Sequence, residues 1–458
     1  MKDSLLTALL ISLFSFGVLA QSGANKTRPS IEVATDAYIY AYPLVLMELK
    51  RRAATNVLMP NAKKAPMNQF AQQGQSDSGD SLLSVMWYDV GQEPLLFHLS
   101  DSKDRYFSLS IEDAWSEIFA SPGSRTTGSD PLRFILVGPK WKGSAPLGHI
   151  VVRSPTNFGR IQAVTMIKGL EDLSDAKKFQ AEITAMKLSD WREKRISARD
   201  LEVEESWDMK HSPQEILDKM SVDEFFTLFS EIVQKNPPHE VDWNIIQQMR
   251  LVGIYVDQKF SFKQLGPNLQ TDLKLAMEQA KVLIKNHQLG FLENGWSISR
   301  DRMATYGSSY LLRAGVAFEQ KDVSLPEDIL TTETLIDNRG ERLNGESQYT
   351  LRFGQDELPP VHAFWSLSLL DKDDHIYRSK LKKSTIISSQ NLFIDKDGSL
   401  TIYLQPQKTV NKKLANWMPT PAGNFSLSLN LYYPQMSARV GEWLPPPVLK
   451  GKSSLLSE

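Results

Sequence analysis

Apolar spacing changes twice along this chain, and that change constrains the fold more than any other feature. Between residues 81 and 169 the apolar residues come in short runs at 82–87, 94–99, 106–111, 134–137, 149–152 and 161–167, cut by Gly, Pro, Asp and Ser. Runs of that length bounded by turn formers predict strands of a mostly antiparallel β-domain. After about Gly345 strand spacing returns: Phe425, Leu427, Leu429 and Leu431 alternate with Ser426, Ser428, Asn430 and Tyr432, the two-residue period of a half-buried strand. Leu392 and Ile394 are expected to face Leu400, Ile402 and Leu404 across the turn at 395–398 as a hairpin. The polar stretch 61–80 reads as a surface loop.

The middle of the chain has helical spacing. Ser212-Pro213-Gln214-Glu215 and Ser221-Val222-Asp223-Glu224 both fit the capping box, in which the serine hydroxyl and the glutamate satisfy each other's backbone N–H groups. Phe225, Leu228, Phe229 and Ile232 then form one stripe, and Pro237-Pro238 ends that helix. A later helix is expected over 269–289, with Leu273, Ala276, Ala280, Leu283 and Ile284 inward and Gly290 closing it. Near the start, Ser30 is placed to cap a helix with Ala34, Ala37, Tyr38, Ala41 and Tyr42 on one face, and Pro43 should kink or restart it.

The resulting expectation is an α+β protein: an N-terminal β-rich domain over 31–170, a helical middle layer over 171–345 and a C-terminal jelly-roll-like β-sandwich over 346–448, with a tail at 449–458. The 458 residues suffice for two or three cores. Residues 1–20 have the form of a signal peptide: one basic residue at Lys2, apolar sequence over 5–18 and a small residue at Ala20. That apolar run is shorter than the about 20 residues of a stable span. Cleavage would leave a flexible N-terminus at 21–30 and an exported, periplasmic or extracellular protein with no remaining membrane span.

With 52 basic and 54 acidic residues the chain has no global field to gather nucleic acid, so no nucleic-acid partner is expected, while a homo-oligomer is left open. The absence of cysteine excludes disulfides, thiol nucleophiles and cysteine-ligated zinc. No GxSxG, HExxH, GxxxxGK or strand-borne GxGxxG motif is present, and the seven histidines have no histidine partner two or four residues away. No metal and no cofactor are expected. Asp395 and Asp397 fit a hairpin turn better than a calcium loop. His362, between Pro360 and Phe364, reads either as a hydrogen-bonded strand histidine or as a base. Trp87, Trp365 and Trp417 stand beside turns or polar strands, where an indole either stacks on a sugar-like ligand or closes a core with its N–H on a carbonyl.

Several phrases resemble a known family. WYDVGQEPLLFHL from Trp87, DRYFSLSIEDAW from Asp104, TGSDPLRFILVGPKWKG from Thr127 and NPPHEVDWNIIQQMRLVGI from Asn236 are similar to the domain of unknown function 1254. NGWSISRDRMATYGSSYLLRA from Asn294, LPPVHAFWSLSLLD from Leu358, NWMPTPAGNFSLSLNLYYP from Asn416 and GEWLPPPV from Gly441 resemble the domain of unknown function 1214 and the segment leading into it. The resemblance implies a shared two-domain architecture and no assigned reaction. It also marks three departures: Leu83 where the family pattern has Tyr after its Asn-x-Asp-Thr, and Val164 and Asn430 where it has Arg. A guanidinium fork grips a carboxylate or phosphate in a way few side chains replace, so its loss implies a changed or lost ligand. Asp80, the retained acid, is the best carboxylate candidate, with Arg105 or Arg125 as its partner. The expected function is binding or acting on a small or carbohydrate-like ligand at an interdomain cleft; the alternative is a structural or oligomeric envelope component.

Overall fold

A computed structural model describes residues 28–451 apart from 77–78, 195–201, 320–322, 374, 378, 380 and 382. The signal-peptide segment 1–20 lies outside the described residues.

The N-terminal β-region contains β1 (Phe70–Gln75), β2 (Ser81–Asp89), β3 (Leu95–Leu99), β4 (Phe107–Asp113), β5 (Ile118–Ala120), β6 (Leu132–Val137), β7 (Ile150–Arg153), β8 (Phe158–Met166) and β9 (Thr184–Lys187). They form a five-stranded sheet in the order β1-β2-β8-β4-β5 and a four-stranded sheet in the order β7-β6-β3-β9. The two faces bury one core, where Phe97 and Phe134 stack at 4.5 Å beside Phe107 and Ile161. Among the described residues of these two sheets, only β6 and β7 pair in parallel. The stretch expected as a loop contains β1, whose polar residues 72, 73 and 75 lie at a sheet edge. Its register shifts between Gln72 and Gly74, where Gly74 takes a φ of 80° that a side chain would strain.

The helical layer is built on α1 (Pro29–Thr55), followed in sequence by α2 (Leu173–Glu182), α3 (Leu188–Glu193), α4 (Pro213–Lys219), α5 (Val222–Val233), α6 (Trp243–Arg250), α7 (Pro267–Lys285) and α8 (Tyr310–Glu319). Both capping boxes are present, at Ser212 and at Ser221. Residues 37–49 of α1 are buried without a break, so this helix is a central post and not the one-sided surface helix its spacing suggested. Helices α4 to α8 all contact it. Pro43 sits inside one continuous helix, and Arg28 with Pro29 begins it while Ser30 donates to Asp272. Helix α7 ends at Lys285, and Leu283 is 46% exposed, contrary to its expected inward placement. Gly290 serves close packing rather than closing the helix: a Cβ there would lie 2.3 Å from the Ile298 carbonyl oxygen.

The C-terminal region contains β10 (Phe291–Glu293), β11 (Trp296–Ile298), β12 (Ile329–Thr334), β13 (Tyr349–Phe353), β14 (Val361–Leu370), β15 (Thr385–Ile387), β16 (Leu400–Leu404), β17 (Trp417–Met418), β18 (Ser426–Pro434) and β19 (Leu449–Lys450), with the short α9 (Met436–Val440). A six-stranded sheet, β10-β11-β12-β18-β14-β15, faces a four-stranded sheet, β17-β16-β13-β19, over a second sandwich core. The expected hairpin does not form: β16 pairs with β13, and Asn416 clips the backbone of Phe393 in place of a ladder. Strand β18 lies between β12 and β14 and is buried over most of both faces, and the end of its polar-marked face at Asn430 and Tyr432 meets the N-terminal sandwich. No helix among the described residues is long and apolar enough to cross a membrane.

Candidate functional site

The two sandwiches meet along a seam. Tyr106, Val164 and Met166 from the N-terminal sheet pack on Phe364, Ile387 and Tyr432 from the C-terminal one. Phe364 and Tyr432 stack at 4.1 Å, and Tyr106 meets each ring edge-on.

Two polar pins cross this apolar strip. Asp80, with no exposed surface, receives the Ser76 and Ser81 hydroxyls at 3.0 and 2.9 Å on one oxygen. Its other oxygen receives the Ser366 hydroxyl at 2.6 Å and the Tyr432 hydroxyl at 2.9 Å, both from the other sandwich. Burial, followed by the Asp80 charge, holds the Tyr432 phenol well above its ordinary range, so it stays a donor. The second pin is Arg125 on Asp328, with Nε 2.7 Å and Nη2 3.2 Å from the carboxylate and the Ser121 hydroxyl at 2.5 Å. The Asp328 hydrogen bond raises the Arg125 pKa further.

A crevice of about 140 Å³ opens in the seam beside the first pin, lined by Ser76, Ser81, Leu83, Gln162, Val164, Ser324, Ile329, Thr331, Asn430 and Tyr432. None of these carries a charge. Leu83 and Val164 are register partners on β2 and β8, while Asn430 stands opposite Thr331 on the facing sheet, so the three departures from the family pattern line one space. Thr331 donates to Asn430 Oδ1 at 2.8 Å, leaving the amide N–H groups of Asn430 for another acceptor. Gln162 is 8% exposed and its Oε1 has no hydrogen-bond partner among the described residues. A buried acceptor left in that state costs free energy that a ligand or water donor recovers.

The other sequence-predicted site residues lie elsewhere. Neither Arg105 nor Arg125 reaches Asp80: Arg105 is held by Asp172 and the Met166 carbonyl, and Arg125 by Asp328. Among the described residues, hydroxyl donors from both sandwiches hold Asp80 instead. Trp87, Trp365 and Trp417 are 6%, 5% and 3% exposed; Trp87 and Trp365 belong to the cores of the helical layer and the C-terminal sandwich, and the Lys383 ammonium lies over the Trp417 ring. The N–H of Trp417 bonds to the Gln405 carbonyl, the pairing a buried indole needs. His362 is exposed at the rim of the seam, with its ring 4.6 Å from that of Tyr433.

Sequence reasoning missed a second polar centre, where the helical layer meets the N-terminal sandwich. His239 Nε2 lies 2.5 Å from Asp113 Oδ2, and Asp242 receives the His239 N–H and the Tyr40 hydroxyl. Arg313 is fully buried 3.9 Å from Asp242 among the rings of Tyr40, Trp115 and Tyr310. Apart from Tyr40 of α1, its members come from IEDAW, NPPHEVDW and YLLRA, three of the family-like phrases, and that shared origin was the available signal. A larger open cleft of about 920 Å³ adjoins this layer, lined by residues of α1, α6, α7, α8 and the β10–β11 edge.

Two β-sandwiches joined across an apolar seam and braced by a helical layer define a two-domain α+β protein with an uncharged interdomain crevice. A sequence profile described as protein of unknown function (DUF1254) matches residues 55–187, and one described as protein of unknown function (DUF1214) matches 328–436. The chain belongs to the family that carries these two domains in tandem. The crystal structure of the VPA0106 protein from Vibrio parahaemolyticus is similar at 21% identity and a TM-score of 0.73, over 92% of this chain and 100% of that one. That likeness shows the fold alone. An uncharacterized protein from Burkholderia cenocepacia is similar at 10% identity over 92% of each chain, with a TM-score of 0.42. No curated protein matches the chain.

Proposed function

We propose that this protein is an exported binding protein that holds a small uncharged polar molecule, a polyol or one edge of a sugar, in the seam crevice. The observation that carries the reading is the meeting of Leu83, Val164 and Asn430 around a space with no charge among its described lining residues, one of which, Gln162, keeps a buried side-chain oxygen without a hydrogen-bond partner among the described residues. At about 30 Å³ per water in the liquid, about 140 Å³ equals four or five waters, the scale of a short polyol. The Gln162 oxygen suits a ligand hydroxyl as donor, and the Asn430 amide suits its oxygen as acceptor. An anion would find no cation among the described lining residues to offset its desolvation. Among the described lining residues only Tyr432 is titratable, and its phenol is held protonated, which favours binding over acid–base chemistry.

A thermal-shift series tests this. Erythritol and monosaccharides at millimolar concentration, far below the range in which polyols act as excluded osmolytes, should raise Tm, with about 2.7 kcal/mol of stabilisation at a hundredfold excess over Kd. Acetate and phosphate should not. Stabilisation by the anions alone would overturn the reading.

Export rests on the form of residues 1–20. Mass spectrometry of protein from its native host should find a chain beginning at Gln21. Retention of Met1 to Ala20 would contradict export by cleavage.

The apolar surface of the helical layer supports a second reading, an oligomeric envelope component. Val241, Trp243, Leu251 and Val282 are 62%, 64%, 75% and 59% exposed around α6 and α7. Such patches mark association surfaces.

A further inference from the structure

We propose that His239 is a proton-operated latch between the N-terminal sandwich and the helical layer, closed when its imidazole is charged and open when it is neutral. Asp113 ends β4 with no exposed surface and fixes the following turn by accepting the backbone N–H groups of Trp115 and Glu117. Its second oxygen takes His239 Nε2, so the sandwich ends on a carboxylate that the helical layer meets with this imidazole. On the other side of the ring, Nδ1 lies 3.8 Å from Asp242, which leads into α6. The indole N–H of Trp115 donates to the Pro237 carbonyl two residues before His239, and the latch therefore governs a contact that includes backbone.

A neutral imidazole can donate to only one of the two carboxylates, whereas the charged ring offers a donor to each. Deprotonation thus keeps one ring donor, on Asp113 at 2.5 Å, and removes the positive charge that lies between the two buried carboxylates and 3.8 Å from Asp242. The titratable and charged groups that act on the ring are Asp113 and Glu117 from the sandwich, Asp242 beside it and Arg313 from α8, and Tyr40 from α1, Tyr306 from the loop before α8 and Tyr310 from α8 act on Asp242, Glu117 or Arg313 in turn. Burial holds the three phenols above their usual range, and it pushes the Glu117 carboxyl up against the pull of Arg313. For His239, burial favours the neutral ring, but the Asp113 hydrogen bond and charge outweigh it and raise the pKa. The direction follows: a raised folded pKa stabilises the closed latch below the unfolded value of about 6.5, and that stabilisation is lost as pH rises through the folded value.

Amide hydrogen exchange on the purified protein, corrected for the intrinsic pH dependence, reads the latch. Protection over residues 236–250 should fall at least tenfold between pH 6 and pH 9 in the wild type. His239→Gln should be poorly protected already at pH 6 and change little with pH. Asp113→Asn keeps the turn's acceptor oxygen and removes the charge, so it should move the fall to lower pH, and histidine NMR should show one imidazole midpoint above 6.5 in the wild type that drops in this variant. Wild-type protection that is flat with pH, or a His239→Gln profile that follows the wild type, would overturn the proposal. A merely structural hydrogen bond gives one of those two results.

Discussion

Replacing Asp80 with alanine should cost about 3 kcal/mol or more in equilibrium denaturation, because each hydrogen bond to a buried charged group contributes about 1.5–3 kcal/mol and orphaned buried partners add a penalty. The carboxylate gathers hydroxyls from Ser76 and Ser81 on one sandwich and from Ser366 and Tyr432 on the other. An alanine at this position would take the acceptor from the Ser366 and Tyr432 hydroxyls in an apolar seam, while Ser76 and Ser81 keep their bond to each other. Asp80→Asn keeps the shape and one acceptor oxygen, and serine hydroxyls can turn to accept from the new amide, so its cost should be less than half that of the alanine variant. If Asp80→Ala unfolds within about 1 kcal/mol of the wild type, a difference typical of an ordinary substitution, the seam is not pinned there.

The second large effect concerns the buried cation. Asp242→Asn should cost about 3–5 kcal/mol, the range for breaking a buried ion pair by removing one partner, because Arg313 is fully enclosed with its Nε and Nη1 groups unpartnered among the described residues. The rings of Tyr40, Trp115 and Tyr310 attract the guanidinium but cannot neutralise it. Arg313→Met should cost less, since Asp242 keeps the Tyr40 hydroxyl, the His239 N–H and the His239 ring. The double variant should then be no worse than Asp242→Asn alone. Denaturation midpoints in which Arg313→Met is the more damaging change would contradict this order.

Local physics explains what the sequence made legible. Strands β2, β3, β4, β6, β7 and β8 fall on the apolar runs that predicted them, and both capping boxes formed, because these signals act within a few residues. The fate of each polar face did not follow from spacing. Ser426, Ser428 and Tyr432 alternate with leucines as a solvated face would, yet all three are buried, Tyr432 because a second sandwich covers it. Residues 37–49 of α1 are almost wholly apolar, and that density, more than their spacing, was the sign of burial on every side.

The candidate site was legible only in part, for the same reason. The three departures at positions 83, 164 and 430 converge on one crevice although 81 and 266 residues separate them in turn, which no local pattern encodes. Gln162 had no signal at all, since its significance is an oxygen left unpaired by burial. The tryptophans were ambiguous because an indole beside a turn serves a core or a ligand equally well, and here backbone carbonyls claimed the N–H groups of Trp115, Trp296, Trp417 and Trp443. Asp113 carried no local signal either: neighbours on a strand such as Glu112 and Asp113 face opposite ways, and that says nothing of a histidine 126 residues away.

The claim that an uncharged crevice selects an uncharged ligand is tested most directly by calorimetric titration of the wild type and Asn430→Arg with erythritol and with acetate. Asn430 is half-buried on β18, opposite Thr331, so a guanidinium there would enter the crevice with no carboxylate among its lining residues. The wild type should bind erythritol and not acetate. Asn430→Arg, checked for an unchanged fold by circular dichroism, should bind erythritol at least tenfold more weakly, about 1.4 kcal/mol, and should gain acetate binding. Equal erythritol affinity in the two proteins, or acetate binding by the wild type, would contradict the account.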